Sequence, residues 1–146
     1  MSWDSVEAKV EIMLRTAFKA ATDSASLAPR YRCFWADSAA QSLTMPAVVI
    51  AASPAINDGW RTTLFKVPVA VAILTAPPDD PTGSVCKAIY RAVRNAVEGA
   101  TLSVSGWQAC PVTVENSSQP QIHEPDEDAP MGLRVIPLDL MAEAAL

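Results

Sequence analysis

One histidine, five glycines and three cysteines in 146 residues exclude several kinds of chemistry. His123 is the only imidazole, and Cys33, Cys86 and Cys110 form no Cys-x-x-Cys pair, so a tetrahedral zinc site lacks ligands. A nucleophile–His–acid triad would have to use His123, and no Gly-x-Ser-x-Gly elbow is present for it to serve. None of the glycines falls in a dinucleotide or P-loop pattern. Positive charge is also scarce: 11 Lys+Arg stand against 16 Asp+Glu, a net charge of −5. That balance argues against a protein that wraps nucleic acid through its phosphates. No run approaches the ~20 apolar residues that span a bilayer. The N-terminal MSWDSVEAKV lacks the basic start and apolar run of a signal peptide. The expectation is a soluble chain with reduced thiols, made in a cytoplasm, with no cofactor, no metal, no catalytic residue and no membrane partner.

Half of the residues are apolar, and domains usually hold about 100–150 residues. Residues 1–146 therefore read as one domain with a real core. Twelve prolines point to stiff, extended connections.

The pattern along the chain is that of an α+β fold. Trp3, Val6, Val10, Met13, Leu14, Ala17, Phe18 and Ala21 recur at helical spacing, with Glu7, Lys9, Glu11, Arg15 and Lys19 off the stripe. Ser2 or Asp4 is the expected cap. Residues 30–45 look irregular. Pro46–Ala52 reads as a short strand, and Trp60–Ala76 as a long one in which Val67, Val69, Val71 and Ile73 share the buried side. The two are expected to pair as a hairpin. A second helix runs to Gly99 from an N-cap at Asp80 with Pro81 at the first helical position, its stripe built from Val85, Ala88, Ile89, Ala92, Val93, Ala96 and Val97. Lys87, Arg91 and Arg94 line its solvated side. Strands over Cys110–Glu115 and Met131–Ala142 close the chain. Pro68 and Pro137 each interrupt a strand, which implies an open edge or a bulge. The expected order is α-β-β-α-β-β, a mixed sheet with two amphipathic helices on one face.

Two segments stand out as candidate contact surfaces. Arg30, Tyr31, Arg32, Phe34 and Trp35 set two cations among three aromatic rings, the residue types favoured at protein interfaces. The same mixture also suits a packed loop or single-stranded nucleic acid. Glu124, Asp126, Glu127 and Asp128, flanked by prolines, form an acidic loop that cannot be core, and removing those four charges from −5 leaves −1. The spacing lacks the glycine and distal Glu of a calcium loop.

In order and length, these elements resemble the tail terminator (tail completion) proteins of long-tailed bacteriophages, of the minor tail protein U type. The resemblance lies in the N-terminal amphipathic helix, the strand opening Pro46-Ala-Val-Val-Ile, the strand over Phe65–Ala76, the Asp80-Pro81 helix and the final strand pair. It implies a virion protein of the tail neck, assembled in the host cytoplasm. Its expected state is a homo-oligomeric ring, usually a hexamer, that caps the tail tube protein and joins it to the head-completion or connector protein. DNA would pass through without sequence-specific binding. In that role the prolines at 68 and 137 would mark open edges that pair partly with a neighbour. The acidic loop would line the channel or dock on a basic partner. A different class of reading is a small cytoplasmic ligand-binding or regulatory module, with a pocket lined by Trp60 and Trp107.

Overall fold

A computed structural model describes residues 5–37, 44–58, 61–103, 110–116, 119–125, 127 and 132–145. Ten elements follow in the order α1 (Val6–Ser24), β1 (Arg30–Cys33), β2 (Ala47–Ala52), β3 (Ile56–Asp58), β4 (Arg61–Thr75), α2 (Ser84–Val97), β5 (Thr101–Leu102), β6 (Cys110–Asn116), β7 (Gln121–His123) and β8 (Leu133–Ala145). The α+β class and the six expected elements are present, and four short strands join them. One of these, β1, lies in the segment expected to be irregular. It runs parallel to β2, while every other described pairing is antiparallel, so the sheet is mixed. The strand order is β1-β2-β4-β8-β6-β5, with β3 beside β4 and β7 beside β8. The expected β2–β4 pairing is there, with β3 intervening in sequence.

Alternation along the strands divides the sheet into two faces. Val48 and Ile50 of β2, Val67 to Ile73 at odd positions of β4, Leu138, Leu140 and Ala142 of β8, and Val112 of β6 all turn to one side and are buried. Both helices cover this side. Helix α1 contributes Val10, Met13, Leu14 and Phe18, and α2 contributes Cys86, Ile89, Val93 and Val97. Among the described residues the opposite face carries no helix.

The helix ends differ from expectation in instructive ways. Ser5, not Ser2 or Asp4, caps α1, its hydroxyl accepting from the Ala8 N–H at 3.1 Å. The far end closes in a Schellman turn: Leu27 N–H donates to Thr22 O and Ser26 N–H to Asp23 O, with Ser26 at φ 58°. Asp80 and Pro81 both lie outside α2, in the turn before it, because the N-cap position belongs to Gly83 at φ 75° and the first helical residue is Ser84. The Asp80 carboxylate still does the capping, reaching forward to the N–H groups of Val85 and Cys86 at 3.1 Å each while Thr75 Oγ1 donates at 3.0 Å. Arg134 on β8 ties down the same turn through the carbonyls of Asp80 and Pro81.

Pro68 and Pro137 lie in β4 and β8, the most central strands, not at edges. The ladder explains why they are tolerated. Ser53 N–H donates to Pro68 O at 2.7 Å, so the backbone atoms of Pro68 face β2, just beyond its last residue. Pairing alternates, so Ala72 also faces β2 and its partner Pro137 turns its nitrogen away from β4. There β6 ends at Asp139 and β7 begins at Val135. Each missing N–H falls where a flanking strand stops.

Candidate functional site

Helix α1 holds the chain after β1 in one shape. Glu11, expected on the polar side of the helix, is fully buried. Its Oε1 accepts from the N–H groups of Trp35 at 2.6 Å and Ala36 at 2.9 Å, and its Oε2 from Ala52 N–H at 3.0 Å. Glu7, one turn earlier, accepts from Ala55 N–H at 3.0 Å. Asp37 closes the turn by accepting from Cys33 N–H at 2.8 Å and from Arg15 at 2.9 Å. Burial would push the Asp37 carboxyl up, but these two hydrogen bonds, with Arg15 and Arg32 nearby, outweigh it and hold its pKa below the usual range. The Trp35 indole N–H reaches Ala52 O at 2.7 Å, at the end of β2.

This scaffold presents Phe34 at 71% exposure and Trp35 at 42%, packed edge to face at 5.5 Å. The buried Glu11, with the partly exposed Glu7 and Asp37, therefore fixes the backbone beneath two solvent-facing rings, so little conformational freedom remains to be lost on docking. The other candidates of this segment separate by face. Tyr31 turns toward the helices, packs on the core and shares a hydrogen bond with Thr22. Arg30 and Arg32 alternate with it onto the helix-free face, beside Ala47 and Val49.

Across that face, Ser53, Pro68, Ala70, Glu115, Asp139 and Met141 line an open cleft of about 290 Å³. Sequence reasoning missed this feature and Glu11 alike. Glu11 was legible in principle: Glu7, Glu11, Leu14 and Phe18 form a helical row along the flank of the apolar stripe. The cleft had no sequence signal, because it depends on four strands meeting. Of the acidic loop, Glu124 and Glu127 are exposed, and Asp126 and Asp128 lie outside the described residues, as do Trp60 and Trp107. His123 is exposed on β7.

The cysteines are buried thiols. Burial pushes Cys33 up to about 12 and Cys110 up to about 11, and raises Cys86 as well, leaving little thiolate at neutral pH. Cys33 donates to Glu11 O at 3.9 Å and Cys86 to Ile73 O at 3.7 Å, so both are packing groups with local partners.

No protein family matches the sequence, and no curated protein does. The fold has a counterpart among solved structures. A chain from the virion of a native gene transfer agent particle aligns over 94% of this chain and 96% of its own, with a TM-score of 0.56 and 14% identity. At that identity the likeness is one of fold: this α+β architecture, almost end to end, is similar to that of a virion component.

Proposed function

We propose that this chain is a structural virion protein. In this reading it assembles with copies of itself into a ring at the head-proximal end of a phage tail, ends the tail tube there, and joins it to the head-completion proteins. The observation that carries the reading is the fold shared over nearly the whole of both chains with a component of a gene transfer agent virion. The order of the long elements, which resembles tail terminators, supports the same conclusion from a separate direction. A rigid pair of exposed aromatic rings suits a protein that works by contact. The protonated thiols suit one that breaks no bond. The net charge of −5 lets DNA pass without sticking.

The test is the mass of the purified protein across concentrations, alone and with tail tube protein. A closed oligomer that binds the tube or the connector is expected. A strict monomer that binds neither overturns the proposal, as does turnover of a metabolite abolished by one point change.

A further inference from the structure

The strand register arranges the helix-free face in rows. Arg32, Val49, Ala72 and Pro137 form one row, and Ala51, Ala70 and Asp139 form the next but one along each strand. Phe34 N–H continues the parallel ladder to Ile50 O at 3.0 Å, which sets Phe34 at the β1 end of that second row. The face is therefore basic and aromatic along β1, apolar through Val49, Ala51, Ala70 and Ala72, and acidic at Asp139 and Glu115. At ~4.8 Å per strand, the two ends lie ~19 Å apart across four strand spacings. At that distance β1 and Glu115 of β6 do not pair with each other within one molecule, and they lie on opposite sides of the two central strands. Beside Glu115 no described strand pairs outside β6, since β5 covers only Cys110 and Pro111.

Resting on the ring reading above, we infer that copies of this chain join head to tail: the β1 edge of one, with Phe34 and Trp35, seats in the Glu115–Asp139 cleft of the next. The exposed Arg30 faces the exposed Glu115, and the rings lie against the floor of Pro68, Ala70 and Met141. Opposite charges set partner and register, while the aromatic pair, held rigid by Glu11, supplies the apolar anchor. Two different surfaces meet, so the contact is heterologous and propagates until it closes.

Charge reversal tests this by native mass spectrometry and light scattering, with circular dichroism to check folding. Arg30→Glu/Arg32→Glu and Glu115→Lys are each expected to weaken self-association at least tenfold. An equimolar mixture of the two should reassemble, because every junction then pairs either the native edge with the native cleft or a glutamate edge with a lysine cleft. Phe34→Ser, which removes an exposed ring, should also dissociate the oligomer without unfolding it. It decides the matter together with Glu115→Lys if the arginine variant fails to fold. Oligomers unchanged by Glu115→Lys and Phe34→Ser overturn the contact while leaving the ring reading intact. A two-subunit particle sensitive to the same changes overturns the head-to-tail arrangement in favour of a face-to-face pair. A wild-type protein that stays monomeric even with tube protein removes the ring reading, and this contact with it.

Discussion

At the residue scale, two buried carboxylates organise the molecule. Glu11 satisfies three backbone N–H groups on two separate segments, donors that would otherwise be left without this partner in a buried setting. Replacing it with glutamine removes one acceptor oxygen and introduces a donor facing donors. Glu11→Gln is expected to cost roughly 1–3 kcal/mol, about the penalty of one buried unsatisfied group, in urea unfolding. Loosening of the 34–36 turn should show as a change in tryptophan fluorescence before global unfolding. Asp80 plays the matching role for α2. Burial would raise its pKa, but the Val85 and Cys86 N–H groups, Thr75 and nearby Arg134 outweigh that and lower it. The pKa is depressed on folding, so the unfolded state takes up protons first as pH falls. The stabilisation is present above the unfolded value of ~3.9 and is lost on further acidification. Urea midpoints should therefore decline below about pH 4, and Asp80→Asn should be less stable at pH 7 and show a shallower decline.

At the scale of elements, the chain ends its first helix with a residue poorly suited to the conformation it adopts. Ser26 occupies the left-handed region at φ 58°, where glycine carries no Cβ penalty. Ser26→Gly is expected to stabilise the fold by about 0.5–1 kcal/mol, read as a raised Tm. The strand prolines make the opposite case. Pro68 keeps its carbonyl in the ladder, accepting from Ser53 N–H just past the end of β2, and the Pro137 nitrogen faces the gap between β6 and β7, so at most one ladder bond is forgone at each. Pro68→Ala should change stability by no more than ~1 kcal/mol, read in thermal melts. A proline seen in sequence reports only that one N–H is absent. Whether that N–H would have met solvent, a bulge or the end of a third strand is a property of the assembled sheet.

At the scale of the whole molecule, both described helices cover one face of the sheet, and on the other the cations of β1 and the carboxylate of Glu115 stand on opposite sides of the central strands. Glu124, directly after β7, and Glu127 are exposed. Neutralising the pair to glutamine should alter stability by no more than ~0.5 kcal/mol each in thermal melts, as exposed substitutions usually do. A large loss would show that these side chains brace the fold.

What the sequence determined by itself was everything governed by local period and local chemistry. The two amphipathic helices, the long valine-rich strand, the α+β class and the helix stop at Gly99 follow from spacing and from glycine's backbone freedom, which neighbours in the chain suffice to express. Tertiary structure alone decided that Arg30–Cys33 is a strand, since a four-residue parallel edge has no period of its own and exists because β2 offers it a ladder. It also decided that Glu11 is core, that both strand prolines are central, and that Phe34, Ala70 and Asp139 share a row. Each depends on which strands become neighbours, and hydrogen-bond pairing across the sheet sets that by bringing together residues far apart in the chain.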